Sequence, residues 1–154
     1  MSLRVDIPGR EPLELAFLLL DLNGTLSDRG ALLEGVAERL ETLAQKLEVR
    51  ILSADTFGTL HDIERRLPAR GDTVTNGEEK VAILRELGAD RCVAIGNGAN
   101  DALMLREAAL GITVLGPEGA SGAALSAADL ICASILDALD LLREPRTLSA
   151  TLRP

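Results

Sequence analysis

The segment LLLDLNGTLSDRG, residues 18–30, passes from three leucines into one aspartate and then at once into Asn23, Gly24 and Thr25. An apolar run of this kind predicts a strand buried on both faces, as in a parallel sheet covered by helices. Asn-Gly directly after it predicts a turn. Asp21 is thereby expected at the carboxyl end of a central strand, the edge at which open α/β sheets bind ligands.

Upstream, LRVDI, a Pro-Gly turn and PLELAFLLLD predict two strands in an N-terminal β-hairpin that feeds the central strand. Downstream, Leu33, Val36, Ala37, Leu40, Leu43, Ala44 and Leu47 recur at helical spacing, and VRILS predicts a short buried strand ending at Ser53. The alternation continues with a helix over Thr59–Leu67, a strand at DTVT (72–75), a helix at EEKVAILREL (78–87) closed by Gly88, and a strand at RCVAIG (91–96). A helix over Asp101–Ala109, the strand GITVL, a small-residue helix near Ala120–Ala128, the strand DLIC and a last helix through Leu142 complete the pattern. Pro145–Pro154 is expected to be a loosely docked extension. Strands alternating with helices predict right-handed βαβ units, hence an α/β, Rossmann-like three-layer fold: a mostly parallel sheet with helices on both faces. The 154 residues match one domain, since roughly 100 to 200 residues per domain is usual.

Composition narrows the function. Phe17 and Phe57 are the only aromatic residues, so stacking platforms for single-stranded nucleic acid are missing. A net charge of -8 repels phosphate backbones and anionic lipid surfaces, and any phosphate ligand must be held by a local cation or by backbone amides. Cys92 and Cys132 lie in apolar strand-like runs without CxxC neighbours and are expected as buried thiols. The apolar run around Leu13–Leu22 is interrupted by Glu14 and falls short of the ~20 residues a membrane helix needs. A cytoplasmic protein with no nucleic-acid or membrane partner is the expectation.

Four predicted strand ends or helix starts carry unusual polar residues: Asp21 with Asn23, Ser53 with Asp55, Lys80, and GNGAND at 96–101. Each has a structural explanation of its own, as a turn, a helix cap or a solvated charge. In a parallel sheet, however, all four lie at one edge. Together they resemble a known family. DLNGTLS is similar to the DxDGT motif of the haloacid dehalogenase (HAD) superfamily and closer still to the DKTGTLT phosphorylation motif of P-type ATPases. ILSAD (51–55) resembles their MLTGD, Lys80 stands where the family's lysine is expected, and GNGANDALML resembles GDGxNDxxxL. ALGITVLG (109–116) and AAD (127–129) resemble further ATPase stretches, so the likeness runs from about residue 15 to 137.

The resemblance implies a HAD-type phosphohydrolase in which Asp21 attacks phosphorus to form an aspartyl phosphate. Lys80 and a magnesium ion would neutralise the meeting of two anions, while Thr25, Ser53 and the backbone amides of Leu22, Asn23, Gly24 and Ala54 hold the phosphoryl oxygens. The implied metal set is Asp21, the carbonyl of Asn23, the side chain of Asn97 and Asp101, the last orienting the others. Expected substrates are a phosphorylated small molecule or a phosphoprotein.

Two positions depart from the family pattern. Asn23 stands where most HAD phosphatases have their acid-base aspartate, so help typically worth ~10²- to 10⁴-fold is absent and a slow enzyme is expected. Asn97 stands where a metal-binding aspartate is usual, which removes one negative charge; Glu78, Glu79 and Asp55 are candidates to restore the field. Neither residues 24–35 nor 54–79 have room for the family's cap domain, so the catalytic edge is expected to be open, or covered by a second copy of the chain. The lone histidine, His61, is expected at the surface. The main alternative is a HAD fold that binds phosphate or a partner without turnover. A receiver-type domain fits poorly, because its phosphoacceptor would follow an acidic metal pair and sit mid-chain, whereas Asp21 comes early and leads into Gly24-Thr25. A dinucleotide-binding module fits worse, because GNGAND lacks GxGxxG spacing.

Overall fold

The structure, a computed structural model, describes residues 1–154. The chain opens with an antiparallel hairpin, β1 (Leu3–Val5) and β2 (Leu13–Leu15). β3 (Phe17–Asp21) follows, then a small flap of β4 (Ser27–Asp28) and β5 (Ala31–Leu32), and then α1 (Val36–Leu43). The remaining elements alternate: β6 (Glu48–Ser53), α2 (Leu60–Arg66), β7 (Arg70–Thr73), α3 (Gly77–Leu87), β8 (Cys92–Gly96), α4 (Ala102–Glu107), β9 (Leu110–Val114), α5 (Gly122–Ala127), β10 (Leu130–Cys132), α6 (Ile135–Arg143) and α7 (Pro145–Leu152).

Six strands form one parallel sheet in the order β10-β9-β8-β3-β6-β7. The chain builds outward from β3 through β6 and β7, then crosses back to β8 and builds the other way. The switch point therefore falls between β3 and β8, and in open α/β sheets the carboxyl ends of the strands at such a point are where ligands bind. Alternation along the strands sorts the leucines. Leu18 and Leu20 join Val49, Ile51, Val93, Ile95 and the apolar faces of α1 and α6 in the larger core. Leu19 turns the other way, with Leu52, Ala94, Val81, Leu84 and Met104, into the core under α3, α4 and α5. Helices thus cover both faces, as the sequence predicts.

No cap domain is present. Only the flap separates β3 from α1, and only α2 and β7 separate β6 from α3. Cys92 and Cys132 are free and buried, and burial pushes both thiols up to about 11. His61 is exposed. No helix is long and apolar enough to cross a membrane.

Three expectations need correction. The run PLELAFLLLD is two strands in different sheets, parted at Ala16, whose N–H donates to the Arg91 carbonyl at 2.8 Å. The strand expected at 72–75 runs over Arg70–Thr73, because its register is set by β6, with Arg50 opposite Arg70 and the Arg50 guanidinium 2.7 Å from Asp72. The tail is no loose extension: Pro145 starts α7, Leu148 is fully buried in the larger core and Leu152 packs against it.

Candidate active site

Register alone gathers most of the site. Asp21 lies opposite Leu52 and Leu20 opposite Ile95, so Ser53, one residue beyond Leu52, and Asn97, two residues beyond Ile95, stand at the same edge as Asp21. After Asp21 the backbone closes on itself: the Leu22 carbonyl accepts from the N–H of Thr25 (3.2 Å), Leu26 (2.9 Å) and Ser27 (3.1 Å). This turn needs φ +77° at Gly24, and it returns the Thr25 side chain to Asp21.

Lys80 arrives on α3. Asn76 caps that helix by accepting from Glu79 N–H at 2.9 Å, and the Glu79 carboxylate reaches back to Thr75 N–H at 2.7 Å. Gly77 lets the first turn close on the loop after β8, since a Cβ there would stand 2.6 Å from the Asn100 carbonyl oxygen. Lys80 then enters between two carboxylates. Its Nζ donates to Asp21 Oδ1 at 2.8 Å and to Asp101 Oδ1 at 2.7 Å, with only 1% of the residue exposed.

One buried cation thus faces two buried carboxylates. Burial works against the Lys80 charge, yet Asp21 and Asp101 outweigh it and hold the ammonium above its ordinary pKa. For Asp21 the balance goes the other way. Burial, reinforced by the Asp101 charge and opposed by Lys80, pushes its carboxyl up to about 6. A further positive charge would relieve that excess.

The neighbouring oxygens point to where such a charge fits. Thr25 Oγ1 lies 3.3 Å from Asp21 Oδ2 and 3.2 Å from Asn97 Oδ1, but a hydroxyl has one proton to give. Two buried acceptors therefore share one donor, and oxygen donors of this kind suit a hard divalent cation. Both oxygens of Asp101 are engaged, Oδ1 by Lys80 and Oδ2 by the N–H groups of Asn97 (3.1 Å) and Gly98 (2.9 Å).

Ser53 is buried, and its Oγ accepts from Asp55 N–H at 2.9 Å, which leaves the hydroxyl proton for a ligand. Ala54 is exposed beside it. The half-buried Asn23 turns its side chain toward the flap, where Ser27 Oγ stands 3.5 Å from its Oδ1. Two of the residues expected to restore the missing charge are engaged elsewhere: Glu79 binds Thr75, and Asp55 accepts from Leu60 N–H at 2.9 Å. Glu78 is exposed on the first turn of α3. Sequence reasoning missed Glu118, whose carboxylate lies against Gly24; its only signal is the turn string GPEG.

Among solved structures, the fold is similar to 3-deoxy-D-manno-octulosonate 8-phosphate phosphatase from Moraxella catarrhalis, determined in complex with magnesium ion, phosphate ion and KDO. The TM-score is 0.66 at 17% identity, covering 90% of this chain and 94% of that one. It is also similar to a zinc-transporting PIB-type ATPase, with TM-score 0.66 and 23% identity over 79% of this chain and 20% of the ATPase. The fold is shared with solved structures of putative HAD hydrolases, in line with the resemblance of the four motifs. It is 45% identical over 84 residues to "Uncharacterized protein MJ0073" of Methanocaldococcus jannaschii, spanning half of itself and 90% of that protein, and belongs to that protein's family. No family model matches the chain.

Proposed function

We propose that the protein is a HAD-type phosphohydrolase that takes up the phosphoryl group on Asp21. The observation that carries this reading is the 2.8 Å contact between Asp21 and a buried Lys80, at the sheet edge where Thr25, Ser53 and Asn97 also gather. A carboxylate oxygen of Asp21 attacks phosphorus, the bond to the leaving oxygen breaks, and an aspartyl phosphate remains. Water then attacks phosphorus, the bond to Asp21 breaks, and inorganic phosphate departs. Lys80 lies beside the incoming charge, and Ser53 and Thr25 offer hydroxyls to the phosphoryl oxygens. Asp21, the Asn23 carbonyl and the Asn97 side chain would hold magnesium, which supplies charge neutralisation when bound. Asp101 positions Lys80 and the Asn97 backbone from behind.

Asn23 exchanges no proton, so the leaving group must depart as a stable anion and the attacking water keeps its own proton until late. This favours acyl or aryl phosphates and a phosphorylated Asp21 that accumulates. The open edge suits a phosphorylated small molecule or a phosphoprotein, with a second copy of the chain as an alternative cover. The residues of this reading all lie in one domain over residues 1–154.

A second reading is favoured by the same residue: a HAD module that binds phosphate or a partner without turnover, since Asn23 faces Ser27 and offers no acid. Acetyl phosphate or para-nitrophenyl phosphate with magnesium separates the two. Labelling or turnover that vanishes in Asp21→Asn supports the enzyme; beryllium fluoride binding with neither supports the module.

A further inference from the structure

The turn Gly116–Gly119 follows β9 and lies across the loop that carries Gly24. Gly119 N–H donates to the Gly116 carbonyl at 3.0 Å, closing the turn. Contacts to both halves of the site pin it. Gly116 sits so close to the motif loop that a Cβ there would stand 2.6 Å from the Gly24 carbonyl oxygen. The Gly119 carbonyl accepts from Asn97 Nδ2 at 3.0 Å, and Ser121 N–H donates to the Asn97 carbonyl at 2.8 Å.

Glu118 is the third residue of this turn, and its side chain folds back over Gly24. The position a Cβ on Gly24 would occupy is 2.9 Å from Glu118 Oε2 and 2.7 Å from Asn97 Nδ2, so the carboxylate and the amide flank one point. No lysine or arginine lies within ion-pair distance of Glu118. An uncompensated carboxylate is therefore delivered beside a neutral Asn97, whose Oδ1 and the buried Asp21 Oδ2 share a single hydroxyl proton. The family resemblance places a carboxylate where Asn97 stands, and here the charge arrives from a different part of the chain.

We propose that Glu118 supplies, from across the cleft, the negative charge that Asn97 lacks, and so helps to hold the divalent cation of the site. The inference rests on the phosphohydrolase reading. Glycine at both 24 and 116 lets the turn close down far enough for a glutamate arm to reach. Glu118 itself is exposed, so replacing it leaves the fold intact.

The test is calorimetric titration with magnesium chloride alone, without substrate, of the wild type, Glu118→Gln, Asn97→Asp and the double variant. Glu118→Gln weakens magnesium binding by about 10- to 100-fold, the range for removing a supporting group at a metal site. Asn97→Asp restores the affinity in the Glu118→Gln background. Equal affinities for wild type and Glu118→Gln overturn the proposal, and so does a wild type that does not bind magnesium. Labelling of Asp21 by acetyl phosphate, measured on the same wild-type protein, keeps the two readings apart. If labelling persists while the glutamate variant binds magnesium normally, only the role of Glu118 falls; if labelling fails as well, both fall.

Discussion

Lys80 and Asp21, 59 residues apart in the chain, meet at 2.8 Å in a pocket that leaves 1% of the lysine exposed. The same ammonium holds Asp101 at 2.7 Å, so one cation balances two buried anions. Removing it leaves both buried carboxylates with hydrogen-bond donors but no cation to balance their charge. Lys80→Met is expected to destabilise the protein by about 3–5 kcal/mol, the cost of breaking a buried pair from one side. Urea denaturation measures this, and an unchanged midpoint would contradict the burial argument.

The raised Asp21 carboxyl makes the metal-free protein sensitive to pH. Burial is the main cause, Asp101 adds to it and Lys80 opposes it, giving a value of about 6 against an ordinary 3.8. Because the folded value is the higher one, the stability this group contributes is full below 3.8 and is lost as pH rises through about 6. Thermal midpoints in a chelator should therefore fall more steeply across that interval for the wild type than for Asp21→Asn. Parallel profiles for the two proteins would show that Asp21 titrates normally.

Asn23→Asp should restore proton transfer at the leaving oxygen and at the attacking water. The side chain reaches only Ser27, at 3.5 Å, so the substitution displaces no tighter contact. Dephosphorylation of labelled Asp21 is expected to accelerate by about 10²- to 10⁴-fold, shortening the phosphoenzyme lifetime accordingly. Single-turnover decay of the acetyl phosphate label reads this directly. No acceleration would mean that proton transfer does not limit the second step.

Helix α7 contributes a fully buried Leu148 to the larger core, beside elements from the start of the chain. Leu148→Ala should cost about 2–5 kcal/mol, as truncation of a buried leucine does. A variant as stable as the wild type in urea would return the tail to a loose extension.

Much of this was legible before any tertiary contact was known. The buried run at 18–20, its stop at Asp21 and the Asn-Gly turn locate the central strand, and alternating helical and strand periodicity defines a parallel sheet with two covered faces. These signals are local, because side-chain direction repeats every two residues in a strand and every 3.6 in a helix. The likeness of four short motifs then named the residues that meet at the edge.

What periodicity does not encode is how closely distant segments approach. Gly77 against the Asn100 carbonyl lets Lys80 in between Asp21 and Asp101, and Gly116 against the Gly24 carbonyl brings Glu118 over Asn97. The edge strand β7 takes its register from β6, and one leucine seats α7. Each of these depends on packing between elements far apart in the chain, where a missing Cβ or a single buried side chain sets the distance and leaves no repeat in the sequence to read.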